Sequence, residues 1–350
     1  MMRMHGFGLT LMAAPLRCLI VNQALLSNPL ARAQKLCRDD MRRVDDTIRH
    51  NLETDVPMIP AMGNFIIGSG GKRLRPLLCL LSARLFGYSD ERHIPLAVVV
   101  EFLHTASLLH DDVVDEAHLR RGQPSAKGVW GNQASVLVGD FLFASALHLI
   151  VSDGDADILQ LFSRVTSTLA EGEVLQLAKT FHLEMDESEC LEVIERKTAI
   201  LFVASSEIGA RVAGRSAEEV ERMKKFGLCL GVAFQLMDDA LDYTADAETV
   251  GKPVGHDLEE GKITLPLIHA MRANDALTAK VEEIAERGEY AKGEREWVRQ
   301  AVQKEGGVEY CQSVAASYAE RAKRCLPQGV DSEARGILAE LADFSARRLY

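Results

Sequence analysis

Along most of this chain, apolar residues recur at the three- and four-residue spacing of an α-helix. In the clearest case, Val99, Phe102 and Leu103 belong to one run that would form a single apolar helix face. Hairpin turns and alternating β-branched runs, which indicate strands, are scarce. Glycine-rich breaks such as 68–71 and 251–255 separate the helical stretches. The pattern predicts one all-α domain of about ten or more helices.

The composition excludes several classes of protein. The 350 residues are 47% hydrophobic and 26% charged, which is typical of a folded soluble chain. A formal net charge of -11 would repel a polyphosphate backbone, so a general nucleic-acid binder is excluded. Seven cysteines without a CxxC pair favour a reducing compartment, the cytoplasm. No run reaches the ~18 uncharged apolar residues of a membrane helix, so no membrane span is expected.

The N-terminal residues differ in charge from the rest of the chain. Residues 1–38 contain no Asp or Glu, whereas the sequence from Asp39 onward is mixed and acidic. This contrast predicts an N-terminal extension over 1–38 and one folded domain over 39–350. The extension would be a targeting or signal peptide, a flexible extension, or an over-long start before a later true Met.

Two aspartate triplets follow two strongly apolar helical stretches. In each triplet the first and last positions are four residues apart, so they share a helix face. Carboxylates this close repel one another unless a cation compensates them, and Mg²⁺ takes oxygen ligands completed by water and substrate phosphates. A single copy would more simply be a solvated helix end, but two copies favour facing metal sites that hold a diphosphate. The triplets are Asp111, Asp112 and Asp115, and Asp238, Asp239 and Asp242.

A basic segment supplies the complementary charge. Lys72, Arg73 and Arg75 follow a glycine pair and precede Pro76, which can open a helix. Donor side chains and a helix N-terminus would then converge on a phosphate. Two diphosphate sites are therefore predicted, one bound through metal and one bound directly by Lys and Arg. Further cations lie near the acidic triplets: Arg120, Arg121, Lys197, Lys252 and Lys262.

These motifs, in this order, resemble the signatures of trans-isoprenyl diphosphate synthases. The resemblance extends from about Asp39 to the C-terminus and is strongest to bacterial octaprenyl and related long-chain polyprenyl diphosphate synthases. The matching segments are GGKRLRP at 70–76, LLHDDVVD at 108–115, RRG at 120–122, RKT at 196–198, FQLMDDALD at 234–242 and GKITLP at 261–266.

The resemblance implies a homodimeric, all-α isoprenoid-synthase fold around a deep cavity, with the acidic motifs facing one another at its mouth. It implies Mg²⁺, three ions per active site with Mn²⁺ as a substitute, held mainly by Asp111, Asp115 and Asp238 and supported by Asp112, Asp239 and Asp242. The implied isopentenyl diphosphate site comprises Lys72, Arg75, His104 and Arg121. The implied allylic diphosphate site comprises Arg120, Lys197, Thr198, Gln235, Lys252 and Lys262.

The implied reaction adds isopentenyl diphosphate repeatedly to an allylic primer such as farnesyl diphosphate, most simply giving octaprenyl diphosphate for quinone side chains. Ala106 and Ser107 precede Asp111 by five and four residues on the same helix, where small side chains would let the growing product pass. Phe162 on a later helix would contribute to the floor. The product would be delivered to a membrane that the protein itself does not span.

Four alternatives remain at this point. A shorter-chain geranylgeranyl synthase would share every motif, and a non-catalytic subunit of a heteromeric synthase would be expected to have a damaged acidic motif. A terpene cyclase would also ionise an allylic diphosphate with Mg²⁺, but it would not need the second, directly bound diphosphate site. A purely structural helical protein would have no reason to keep six carboxylates opposite two sets of cations.

Overall fold

A computed structural model describes residues 28–68, 72–120, 123–244, 255–330 and 332–347. Helices account for nearly all of their regular structure. They are α1 (Pro29–Leu36), α2 (Arg38–Asn51), α3 (Met58–Gly68), α4 (Leu74–Leu85), α5 (His93–Val114), α6 (Ala126–Asp153), α7 (Ala156–Ala178), α8 (Glu187–Ile194), α9 (Ile200–Val212), α10 (Ala217–Thr244), α11 (His256–Glu259), α12 (Leu265–Ala273), α13 (Asp275–Arg287), α14 (Glu294–Lys304), α15 (Gly307–Cys325) and α16 (Glu333–Ala346). The predicted all-α class is confirmed.

A short antiparallel hairpin interrupts the helices just after α5. It pairs β1 (Leu119–Arg120) with β2 (Gln123–Pro124). Its two-residue strands are too short to show an alternating pattern in the sequence. The hairpin places Arg120 beside the end of α5.

The core is a bundle in which α5 packs against α6, and α10 packs against α9 and α15. Close approach of helices depends on glycine at their contacts. A Cβ at Gly227 of α10 would lie 2.4 Å from the carbonyl oxygen of Phe202 on α9. A Cβ at Gly209 of α9 would lie 2.5 Å from the backbone nitrogen of Ala83 on α4. These contacts fix α9 between α4 and α10, and all three helices reach the cavity described below.

The fold begins before the predicted boundary at Asp39. Helix α1 packs against α16, Ala33 is fully buried, and Arg32 pairs with Glu340 at 2.6 Å. Residues from 28 onward therefore belong to the folded unit rather than to an extension. The acid-free composition of 1–38 gave no indication of this helix, because a difference in charge does not show which residues pack against the fold. Residues 1–27 lie outside the described residues.

Among the described residues, two helices are long and apolar enough to cross a membrane by length and composition. Neither contains ~18 uncharged apolar residues in a row, so the sequence alone did not indicate them. In α5, 72% of the most apolar window is buried inside the protein, as expected of a core helix. In α6 only 39% of that window is buried. The exposed part of α6 is an apolar stripe that includes Phe143, Leu147 and Val151, at four-residue spacing on one face.

Candidate active site

Most of the predicted site residues line one cavity of about 830 Å³ at the ends of α5, α7 and α10. Arg121 and Lys252 lie outside the described residues. Ala106 and Phe162 do not line this cavity; both are buried in the core, at 2% and 1% exposure. The predicted residues that do line it are Lys72, Arg75, His104, Ser107, Asp111, Asp112, Asp115, Arg120, Lys197, Thr198, Gln235, Asp238, Asp239, Asp242 and Lys262.

The first aspartate triplet lies at the C-terminal end of α5, where the helix dipole disfavours negative charge. Three cations from other elements offset that cost. Lys197 Nζ lies 3.4 Å from Asp111, and Lys262 Nζ lies 3.0 Å from Asp115. Arg120 donates to Asp112 at 2.7 Å. The hairpin, the loop before α12 and the segment before α9 are thereby brought to the end of α5.

Two members of the second triplet, on α10, have structural partners. Asp239 accepts a hydrogen bond of 2.8 Å from Gln235 one turn earlier. Asp242 accepts from the backbone N–H groups of His256 and Asp257 at 3.2 and 3.1 Å, and thereby fixes the start of α11. Asp238 lines the cavity. The implied ranking, in which Asp238 is a main metal ligand and Asp239 and Asp242 are supporting residues, stays a prediction.

Negative charge is concentrated enough at this site to perturb its ionisation. Burial, assisted by Asp238 and Asp242, raises the pKa of Asp239 to about 7 against the hydrogen bond from Gln235. Burial and the nearby Asp111 likewise raise the pKa of Glu173 to about 7. Burial alone would lower the pKa of Lys262, but neighbouring carboxylates raise it above its ordinary value. The cavity therefore favours additional positive charge.

The donor set fits Mg²⁺ in a particular way. Among the described residues, no three His, Cys, Asp or Glu side chains converge closely enough to hold a metal ion by themselves. Mg²⁺ typically takes one or two carboxylates and completes its shell with water and substrate phosphates. Oxygen ligands arranged on two helices across a cavity satisfy that requirement, whereas a closed structural metal site would not be expected here.

Two residues of the basic segment, Lys72 and Arg75, also line the cavity. Arg75 Nη1 donates to His104 Nε2 at 2.9 Å, and its guanidinium lies over the ring of Phe202. Lys72 Nζ lies 6.0 Å from the ring centre of Phe344 on α16. Helix α4 begins at Leu74, so Pro76 is its third residue rather than the predicted first. Proline still fits because the first-turn N–H groups have no intrahelical acceptor.

A single π-helical turn, Glu195–Ala199, joins α8 to α9 and carries Lys197 and Thr198. Glycines on both sides make room for the widened backbone. A Cβ at Gly172 would lie 2.7 Å from the backbone nitrogen of Lys197, and one at Gly231 would lie 2.6 Å from the Cα of Ala199. Thr198 Oγ1 donates to Gln235 Oε1 at 3.0 Å. The π turn thus aims Lys197 and Thr198 into the cavity.

Several residues of the site could not be predicted from the sequence. Glu173 pairs with Lys197 at 2.6 Å, and Glu260 pairs with Lys262. Asp257 also lines the cavity, and its pKa is raised by burial and by Asp242. None of the three belongs to a repeated motif like the aspartate triplets, although Glu259 lies between Asp257 and Glu260. Their proximity to a predicted lysine becomes visible only when the helices are packed.

The fold and site together define an all-α prenyltransferase of the isoprenoid-synthase type. The sequence model of the polyprenyl synthetase family matches residues 56–303, and this chain belongs to that family. The family and fold predicted from the motifs are confirmed.

Relatives of known name and solved structure are similar over nearly the whole chain. Octaprenyl diphosphate synthase of Escherichia coli K12 is 40% identical over 91% of this chain and 99% of its own length. The all-trans-nonaprenyl-diphosphate synthase (geranyl-diphosphate specific) of Rhodobacter capsulatus is also 40% identical, over 89% of this chain and 95% of its own. A polyprenyl synthase from Caulobacter crescentus CB15, crystallised with calcium and isoprenyl diphosphate, has a TM-score of 0.87 at 42% identity and covers 91% of this chain and 98% of its own.

Proposed function

We propose that this chain is a trans-polyprenyl diphosphate synthase that condenses isopentenyl diphosphate onto an allylic diphosphate, most simply farnesyl diphosphate, with octaprenyl diphosphate as product. The observation that carries the proposal is the meeting of two acidic clusters and a separate basic segment around one cavity. That arrangement offers one diphosphate site through metal and one through direct cations. A quinone side chain is the proposed use of the product.

The acidic residues would hold Mg²⁺, three ions per site with Mn²⁺ as a substitute, mainly through Asp111, Asp115 and Asp238. When bound, the metal supplies charge neutralisation to the departing diphosphate. Asp112, Asp239 and Asp242 serve as supporting residues, because their partners Arg120, Gln235 and the backbone at the start of α11 keep them in place.

The allylic site brings donors to the leaving diphosphate. Lys197 and Lys262 pair with Asp111 and Asp115, and their ammonium groups reach the space where the diphosphate would lie. They stabilise the charge that develops as the allylic carbon–oxygen bond breaks, which is electrostatic catalysis rather than proton transfer. Arg120, Thr198, Gln235 and Lys252 complete this site.

The second site holds isopentenyl diphosphate through Lys72, Arg75, His104 and Arg121. Its double bond attacks the allylic cation, a carbon–carbon bond forms, and the departed diphosphate takes the proton that leaves. Holding both reactants replaces a bimolecular encounter. Apolar residues of the cavity, including Leu108, Leu201 and Phe234, exclude the water that would quench the cation.

Product length is proposed to depend on the residues beneath the first triplet. Ser107 lines the cavity, Ala106 lies beside it on α5, and Phe162 on α7 is proposed as part of a deeper floor. At ~1.5 Å per residue, Ala106 and Ser107 lie ~6 to 7.5 Å below Asp111. Relatives equally similar to this chain are named for different lengths, octaprenyl and nonaprenyl, so family membership alone leaves the length open.

The test is to incubate the purified protein with Mg²⁺, isopentenyl diphosphate and farnesyl diphosphate and to size the products by mass spectrometry. We expect about eight isoprene units. With a primer shorter than farnesyl diphosphate, Ala106→Tyr should shorten the product to three or four units while the initial rate of condensation survives. A wild-type product of four units would favour the geranylgeranyl alternative. No product from the protein alone would favour a non-catalytic subunit.

We further propose a homodimer formed through α6 and α7. Both helices expose apolar side chains, Leu147 and Val151 on α6 and Val174 and Leu177 on α7, and exposed apolar patches of this kind mark association surfaces. Sedimentation equilibrium should give twice the chain mass, and a monomer at micromolar concentration would contradict the proposal. A cytoplasmic location is proposed because the six cysteines in the described residues are free thiols.

A further inference from the structure

Arg73 differs from the two cations beside it. The sequence places it with Lys72 and Arg75, but its side chain does not line the cavity and is only 16% exposed. It points instead between α2 and α5, where Nη1 lies 3.4 Å from Glu101 and Nη2 lies 3.7 Å from Asp45. Its charge is therefore directed at the protein and not at a ligand.

Its partner Glu101 is unusual for its position in α5. It is the single charged residue in the stretch 94–103, IPLAVVVEFL, and it is 7% exposed. A buried ion pair seldom stabilises a fold more than apolar residues of the same volume would. The carboxylate therefore calls for an explanation other than stability.

Glu101 and His104 together connect α5 to the basic segment. They are three residues apart, so their side chains lie on one face of the helix. Glu101 pairs with Arg73, and His104 contacts Arg75 at 2.9 Å. One face of α5 thus contacts two residues of the basic segment. Arg73 is directed away from the cavity, and Arg75 is directed into it.

The backbone of Arg73 shows why such a connection is needed. Its φ of 47° and ψ of 38° are left-handed, a conformation that residues with a Cβ disfavour. This residue immediately precedes α4 and makes no side-chain cap. Lys72 and Arg75 line the cavity, while the ion pair with Glu101 holds the Arg73 side chain away from it.

We infer that Arg73 is a positioning residue for the directly bound diphosphate, and that Glu101 is the group through which α5 holds it. The inference rests on the proposed function for the identity of that ligand, isopentenyl diphosphate. Arg73 sets the geometry of Lys72 and Arg75 without touching the ligand. Arg73 supports the isopentenyl diphosphate site without deciding which ligand binds there. This role accounts for a buried charge that the reaction itself does not use.

Steady-state kinetics of Arg73→Met provide the main test. We expect at least a tenfold higher KM for isopentenyl diphosphate, with the KM for farnesyl diphosphate and kcat at saturation within about twofold of wild type. Arg73→Lys, which keeps the charge, should recover part of the loss. Arg43→Met is the matched control, because Arg43 on α2 pairs with the exposed Glu91 away from the cavity and should leave all constants unchanged.

A double variant separates positioning from stability. Arg73→Met alone leaves Glu101 buried without this partner and can lower the melting temperature, whereas Arg73→Met with Glu101→Leu removes both charges. Positioning predicts that the double variant regains thermal stability but keeps the high KM. If its KM returns to the wild-type value along with stability, or if Arg73→Met never raises the KM, the inference is overturned.

A binding measurement distinguishes failure of this inference from failure of the proposed function. Calorimetric titration with inorganic diphosphate in EDTA reports the direct site without turnover, and Lys72→Ala gives the size of the loss expected there. Arg73→Met should weaken binding at least tenfold, and unchanged affinity overturns the inference. A wild-type protein that binds diphosphate but makes no prenyl product contradicts the proposed function alone.

Discussion

The two ends of α5 both contain buried charges, but they arrange them differently. At the cavity end, Asp111 and Asp115 pair with lysines whose side chains also reach open space. At the distal end, Arg92 pairs with Asp153 at 2.6 Å, and Asp153 is only 2% exposed at its side chain. A ligand can replace the partners of the charges at the cavity end. At the distal end the pairs are closed, meaning that each charge is held by another side chain of the protein.

A second closed set lies deeper in the bundle. Glu207 on α9 is fully buried and accepts hydrogen bonds from Arg164 on α7 at 3.1 Å and from Arg211 at 2.8 Å. Its partners are all supplied by the protein. A buried charge therefore indicates function only when its partner can be replaced by a ligand. Burial alone does not separate the two cases.

The largest effect should come from the cavity end. Asp238→Ala and Asp111→Ala should each lower kcat by roughly 10³-fold or more, because each removes a carboxylate that would hold the metal-bound diphosphate. Their free energy of unfolding should stay the same or rise, since the remaining carboxylates repel one another less. Turnover with and without EDTA and urea unfolding are the measurements. Near-normal turnover of either variant would remove the distinction between the two ends.

The second closed set, around Glu207, should show the reverse behaviour. Glu207→Ala should lower the free energy of unfolding by about 2–3 kcal/mol, because hydrogen bonds to a charged group are lost and an empty space remains. The kcat of the folded fraction should stay near wild type. Asp157→Ala is the matched control, since Asp157 contacts the same Arg211 at 3.3 Å but its side chain is 70% exposed, and it should change stability by under about 0.5 kcal/mol.

The sequence reveals the residues that occur in repeated patterns. Asp111 and Asp238 could be predicted because each begins a triplet after an apolar helix, and the cations could be predicted because they adjoin glycine or lie in recognisable motifs. Glu101 could not be assigned, because one acidic residue in an apolar helix looks the same whether it anchors or catalyses. The direction of the Arg73 side chain could not be predicted either, since it depends on a left-handed backbone at a position that is neither glycine nor asparagine.

The π turn is a second feature that could not be predicted from the sequence. An i→i+5 turn has no residue signature of its own, and the segment around Lys197 follows ordinary helical spacing. The absence of side chains at Gly172 and Gly231, on two other helices, makes space for it. The geometry of the cavity end therefore depends on residues that carry no charge.

A smaller effect should follow from filling that space. Gly172→Ala would place a Cβ 2.7 Å from the backbone of Lys197 and shift that lysine, so kcat should fall by about tenfold with a modest loss of stability. Gly336→Ala on α16 is the matched control, because none of the described atoms lies within 4 Å of its Cβ. It should leave kcat unchanged and raise stability by about 0.5–1 kcal/mol. Equal kcat values for the two variants would show that the π turn does not depend on Gly172.

The smallest effect is a pH dependence that arises at the distal end. Burial lowers the pKa of His93 below its ordinary value of 6.5, and Arg43 and Arg84 lower it further, against the opposing effect of Asp40. The folded protein therefore keeps this imidazole neutral at a pH where the unfolded chain protonates it. Stability from this residue is fully present above about pH 6.5 and is lost as the pH falls below that value, by at most about 1.4 kcal/mol per pH unit.

Thermal unfolding between pH 7.5 and 5.5 measures this pH-dependent contribution of His93 to stability. His93→Gln should flatten the fall in melting temperature towards low pH, because the replacement takes up no proton in either state. His50→Gln is the matched control, since the His50 side chain is 82% exposed on α2 and should leave the slope unchanged. Equal slopes for wild type and His93→Gln would show that the distal end is not a source of acid sensitivity. Asp239 and Glu173 at the cavity end act in the opposite sense, because their raised pKa values make stability rise as the pH falls.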